Sequence, residues 1–167
     1  MKSVLISIQP KWCELIASGK KTVEVRKTKP KLETPFKVYI YQTRRTWTYD
    51  IYSRIADWQG KVIGEFVCNC IGTVGWTSNP SKLDWKKGVY NEETCLTNEE
   101  TYEYTKGDKF YEWHISDLVI YDKPKDLDYF RKPLLCHRGI QKDACIGCWD
   151  CEITRPPQSW CYVEEVG

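Results

Sequence analysis

A chain of 167 residues, 41% hydrophobic and 29% charged, fits one domain over residues 1–167 with a real core and no need of disulfide staples. No run approaches the ~20 apolar residues of a membrane-spanning helix, and Met1 to Pro10 is too short and too strand-like for a signal peptide, so a cytoplasmic protein without a membrane partner is expected. The formal charge of +2 hides an asymmetry, since nine Lys and Arg stand against Glu24 and Glu33 between Lys20 and Arg45 while the chain from Lys61 onward carries more acids than bases. That basic half is either a footprint for phosphate or a solvated surface with no partner.

In chain order, Ser3 to Ile8 alternates Val4, Ile6 and Ile8 with smaller or apolar neighbours and predicts an opening strand. Pro10 suits the first turn of a helix, Trp12, Leu15 and Ile16 follow at helical spacing, and Gly19 reads as the helix stop. From Thr22 to Lys27 the period changes to two: Val23 and Val25 point one way, Thr22, Glu24 and Arg26 the other, with Lys21 just before them. Phe36 to Tyr41 predicts a strand pairing with the first. Thr43 to Gln59 has no clean period. Its Arg44, Arg45 and Arg54 interleave with Trp47, Tyr49, Tyr52 and Trp58, a composition that stacks nucleobases and grips phosphates or else packs its rings on the fold. Lys61 to Trp76 is β-like, with Gly64, Gly72 and Gly75 suggesting bends, and reads as two strands or one strongly bent one. Asn79 to Thr94 is polar and loop-like; Thr97-Asn98-Glu99-Glu100 is a capping box opening a helix that ends near Gly107. Phe110 to Tyr121 predicts a long strand with Trp113, Ile115 and Leu118 inward and a kink at Asp117, and Ser159 to Glu164 closes the sheet. Strands outnumber helices and no βαβ repeat is visible, which favours an α+β small mixed barrel over a parallel sheet.

Nine cysteines in a reducing compartment are expected to be thiols or metal ligands. Cys136, Cys145, Cys148 and Cys151, spaced C-x8-C-x2-C-x2-C, can close a tetrahedral structural zinc site, a knuckle at about residues 136–151 in which Gly139 and Gly147 let the backbone turn. His137 or Cys161 can replace one ligand, and an iron–sulfur site or free thiols are the alternatives. Cys68 and Cys70 alternate on a strand, and burial accounts for them better than redox chemistry. His114, Ser116 and Asp117 are too close along one strand to converge as a catalytic triad.

The run Gln9-Pro10, Trp12 and Gly19-Lys20-Lys21-Thr22-Val23-Glu24-Val25-Arg26 resembles the signature of the ASCH domain, a branch of the PUA-like fold, in which Gln-Pro and a short helix with an aromatic precede Gly-x-Lys-x-x-Glu-x-Arg. Further resemblance at residues 60–67, 113–118 and 156–163 carries it over most of the chain, as a phage or bacterial type with a Cys-rich C-terminal insertion. It implies a PUA-like mixed barrel with short helices, and a cleft that holds RNA or a nucleotide-like or nucleoside-like ligand. In that cleft Glu24 accepts hydrogen bonds from an exocyclic amine while Lys21 and Arg26 hold a phosphate or oxyanion, with Trp12 or Trp113 as the lining aromatic. Arg44 and Arg45, in a segment outside the resemblance, are expected to extend the footprint by their basic, aromatic-rich surroundings. An internal Glu24–Arg26 or Lys21–Glu24 ion pair without a ligand is the structural alternative. Some bacterial members are amidohydrolases of N4-acetylcytidine that use a lysine, a threonine nucleophile and a glutamate. Lys21 matches their lysine, but Glu24 stands where they carry threonine. Thr22 is then the nearest hydroxyl and Glu92 or Glu93 the nearest acid. The sequence reading therefore leans to binding, with an N4-acylcytidine amidohydrolase or a ribonuclease as one alternative and a zinc-stabilised protein-interaction module as another.

Overall fold

The computed structural model describes residues 3–44, 56–75, 90–133 and 151–165. In chain order the elements are β1 (Ser3–Ile8), α1 (Pro10–Ala17), β2 (Val23–Arg26), β3 (Phe36–Gln42), a 3-10 turn (Ala56–Trp58), β4 (Val62–Val74), β5 (Tyr90–Asn91), β6 (Leu96–Thr97), α2 (Asn98–Thr105), β7 (Phe110–Lys125), a second 3-10 turn (Leu127–Tyr129), β8 (Phe130–Arg131) and β9 (Trp160–Glu165). This is the α+β class expected from the sequence. Contacts divide the chain into two compact units, one of Met1–Cys13, Lys37–Phe66 and Leu118–Gly167, the other of Glu14–Phe36 and Val67–Asp117.

The first unit is built around β1. All six of its residues are buried, because it lies between neighbours on both edges and carries cover on both faces, so an almost continuous apolar run suits it. It runs parallel to β3, Val4 opposite Val38 through Ile8 opposite Gln42, and antiparallel to β9, Ser3 opposite Val163 through Ile6 opposite Trp160. The strand order here is β4-β3-β1-β9-β8. Leu5, Tyr39, Tyr41, Val62, Phe130, Ile153 and Val163 form one core cluster, with the Tyr39 and Phe130 ring centroids 4.8 Å apart. Gly64, expected to mark a bend, instead serves a close approach, since a Cβ there would stand 2.3 Å from the Val119 carbonyl oxygen. Glycine is required for that approach, and β4 continues through it as a single strand.

The second unit pairs β2 antiparallel with β7, and its strand order is β2-β7-β4. The helix α1 stops where Gly19 adopts φ +74, its amide donating to the Ile16 carbonyl at 2.9 Å while the Lys20 amide donates to Leu15 at 3.0 Å. The capping box of α2 is complete: the Glu100 amide donates to Thr97 Oγ1 at 3.1 Å, and Glu100 Oε2 accepts from the Thr97 amide at 2.8 Å. Its far end turns through Lys106 and Gly107, both at positive φ. Asp117, the expected kink in β7, has φ +47. Trp113 is fully buried as expected, whereas Ile115 and Leu118 are only half-buried. Most of the aromatic-arginine segment from Thr43 to Gln59, and residues 76–89, which include Trp76 and the first part of the polar loop, lie outside the described residues.

Candidate functional site

The charges of the signature meet inside the second unit. Although β2 was expected to have a polar face, all four of its residues are buried. The Val23 and Val25 side chains take one face and Glu24 and Arg26 the other, so the charged pair is covered along with the valines and must be satisfied internally. Arg26 Nη2 lies 3.0 Å from Glu24 Oε1, and Lys21 Nζ lies 3.4 Å from Glu24 Oε2. Relative exposures of 2% for Lys21, 6% for Glu24 and 7% for Arg26 place the whole cluster out of bulk water, where each pairing is stronger and each loss costlier.

The third contact of the cluster comes from a distant turn. Lys21 Nζ donates to the Thr94 carbonyl oxygen at 2.6 Å, across 73 residues of sequence. That turn is held locally by Asn91, whose Oδ1 accepts from the Glu93 and Thr94 amides at 3.0 Å each, and by Thr94 Oγ1, which accepts from the Leu96 amide at 3.3 Å. It is tied to the signature by the Thr22 and Val23 amides, which donate to the Glu93 carbonyl at 2.9 and 3.0 Å. The Cys95 thiol adds a contact to the Lys20 carbonyl at 3.5 Å. Nothing in the local pattern of residues 91–95 announces this role. The only signal was the demand of a buried lysine for an oxygen.

Register with β7 supplies the aromatic wall. Glu24 is directly opposite Trp113 and Arg26 opposite Tyr111, so these pairs share a face. Phe36 meets the Trp113 ring edge-on at 5.9 Å. Of the two expected aromatics, Trp113 is thus the one beside Glu24. Trp12 lies on α1, half-buried, with Lys11 Nζ 4.3 Å from its ring centroid.

The remaining expected residues are placed elsewhere. Thr22 is exposed, and so are Glu92 and Glu93. Arg44 is exposed and its Nε runs over Gly60, while Arg45 lies outside the described residues. Of the four expected zinc ligands, Cys136, Cys145 and Cys148 lie outside them too, as does His137. Cys151 is buried, and its carbonyl accepts from the Lys132 amide at 2.8 Å. Burial pushes the half-buried Cys161 thiol up to about 11, against a smaller opposing pull from Lys132. Among the described residues no three His, Cys, Asp or Glu side chains are grouped as a metal would need. The expectation that burial explains both strand thiols holds for Cys68, which burial pushes up to about 12, but Cys70 is exposed. The two side chains share a face of β4, yet cover on that face ends between them.

The family model of the ASCH domain matches residues 6–125, which include the signature. The chain belongs to the ASCH domain family. Its fold is similar to crystal structures of ASCH from Zymomonas mobilis, at 21% identity and a TM-score of 0.59, covering 97% of this chain and 87% of that one. A Tyr-to-Phe variant of the Zymomonas mobilis protein matches over 98% of this chain and 91% of that chain, again at 21% identity and a TM-score of 0.59. No curated protein sequence matches the chain. The Cys-rich stretch lies beyond the residues matched to the family. No helix among the described residues is long and apolar enough to cross a membrane.

Proposed function

We propose that this ASCH protein binds RNA or a nucleotide-like ligand at Lys21, Glu24 and Arg26. One observation carries the reading: two cations share one carboxylate in a nearly sealed place beside a buried indole. A stability role alone would favour a matched pair or apolar side chains, because burying charge is costly and replacing a buried ion pair by packing is often neutral or favourable. An ammonium and a guanidinium beside one carboxylate are instead suited to the oxygens of a phosphate or a base carbonyl, with Glu24 accepting from an exocyclic amine. Catalysis is less well supported, because Thr22 is exposed and Lys21 is engaged by the Thr94 carbonyl.

Titration with the four nucleoside 5′-monophosphates tests the proposal. Lys21→Ala weakens binding to all four, and Glu24→Gln changes their ranking, because an amide donates as well as accepts. A ranking is a ratio and does not depend on the fraction of variant that is folded. Loss of neither affinity nor ranking would move the ligand away from the cluster. Release of cytidine from N4-acetylcytidine by the wild type, abolished in Lys21→Ala, would replace binding by amidohydrolysis as the function.

The cysteine spacing supports a second part of the proposal, that Cys136, Cys145, Cys148 and Cys151 hold one structural zinc in a C-terminal insertion. Metal analysis of purified protein is expected to find about one equivalent, and less than about half would refute it.

A further inference from the structure

The second unit carries a surface that the buried cluster does not use. After Arg26 the chain continues into Lys27 and Lys29, both exposed. Lys27 Nζ lies 5.1 Å from the centroid of Tyr104 on α2, and Lys29 Nζ 5.5 Å from that of Tyr111 on β7. Tyr104 nevertheless keeps 39% of its surface exposed. Beside these pairs lies an open depression of about 520 Å³ lined by Lys27, Gly75, Gly107, Asp108 and Lys109. Among the described residues that line it are two lysines, two glycines and one acid, Asp108.

Two lysines lying over tyrosine rings, beside an open depression that Lys27 and Lys109 line, match the two needs of one polymer: cations for phosphates and flat apolar faces for unstacked bases. We infer that the Lys27, Lys29, Tyr104 and Lys109 surface binds the backbone and bases of a single-stranded oligonucleotide. A duplex would hide the base faces that the rings require, and a protein partner would gain little from lysines with so few apolar neighbours. The inference rests on the nucleotide-binding reading of the cluster and adds a second surface on the same unit: the cluster takes one nucleotide and the lysine–tyrosine surface takes a strand.

The test is fluorescence anisotropy with labelled ten-nucleotide oligo(U) and oligo(dT), read at several salt concentrations, alongside the monophosphate titrations. For Lys27→Gln with Lys109→Gln, the slope of log affinity against log salt is expected to become shallower by about 1.4, at ~0.7 per phosphate contact on a single strand. Tyr104→Ala is expected to weaken oligonucleotide binding about 5- to 100-fold, and Tyr104→Phe to restore it, because stacking needs the ring and not the hydroxyl. Both oligonucleotides are expected to lose affinity equally, as neither contact reads the 2′-hydroxyl. Monophosphate binding is expected to be unchanged in these variants and weakened only in Lys21→Ala. Oligonucleotide binding that ignores all three surface variants overturns the inference and leaves the cluster reading standing, and so does monophosphate binding by a wild type that takes no oligonucleotide. A loss confined to oligo(U) or to oligo(dT) also overturns it. A wild type that binds neither monophosphates nor oligonucleotides removes the proposed function and this surface together.

Discussion

The two units use the same kinds of charged side chain in opposite ways. In the first, Glu65 accepts from Lys37 Nζ at 2.8 Å and from the Tyr121 hydroxyl at 2.5 Å, and Glu165 accepts from Lys125 and from the Tyr39 hydroxyl at 3.2 Å. Each carboxylate there has one ammonium and one phenol, and the lysine and glutamate side chains of both pairs remain between 21% and 41% exposed. In the second, one carboxylate serves two cations at under one-tenth exposure. Matched, half-wet pairs between strands are a clasp, and their loss is cushioned by water. A dry cluster has no such cushion. It holds its charges in place at a cost to stability.

The comparison predicts a graded response to removing one charge. Glu24→Ala leaves two buried cations with no carboxylate between them and is expected to cost about 3–5 kcal/mol in denaturant unfolding. A loss below about 1 kcal/mol would show that the cluster is solvated in solution and would erase the contrast between the units. Glu65→Gln keeps the shape but not the charge of a half-exposed acceptor, so about 1–2 kcal/mol is expected.

This second variant also has a pH signature. Burial raises the Glu65 carboxyl, but hydrogen bonds from Lys37 and Tyr121 and the charges of Lys37 and Lys125 outweigh it, so its net shift is downward from 4.5. A depressed folded value gives stability that is present above the unfolded value and lost as pH falls through the folded one. Wild type is therefore expected to lose more stability than Glu65→Gln between about pH 5 and pH 3. Parallel acid limbs would remove Glu65 from the clasp. Burial, followed by Glu165 for Tyr39 and by Glu65 for Tyr121, raises both phenols, so neither is expected to ionise in the neutral range.

Lys61 and Asp126 form the most exposed of these pairs, with side chains 38% and 55% exposed. Lys61→Ala is expected to change stability by less than about 0.5 kcal/mol, and 1 M salt to abolish even that. A larger effect would show that exposure is a poor guide to the value of a pair in this fold. Thr22→Val is the smallest expected change, within about 0.5 kcal/mol and without effect on ligand affinity, since the residue is exposed beside the cluster and not in it. A marked loss of ligand binding or of any hydrolysis would instead bring its hydroxyl into the site.

The sequence by itself determined the local elements, because their causes lie within a few residues. Helical spacing between Pro10 and Gly19, period two across Thr22 to Lys27, the Thr97 to Glu100 capping box and the kink at Asp117 depend on near neighbours only, and each is found where those neighbours put it. The signature residues likewise marked the family and the place of its charges. What only the tertiary structure decided was their state. Alternation told that Glu24 and Arg26 share a face, but whether that face was wet depended on β7, some 90 positions on, which sets Trp113 against Glu24. The oxygen that receives Lys21 belongs to Thr94, a backbone atom with no side-chain signature. The thiols made the same point in reverse: identical residues two positions apart on β4 share a face, yet one is buried and one exposed, because cover is a property of the packed neighbours and not of the strand's own period.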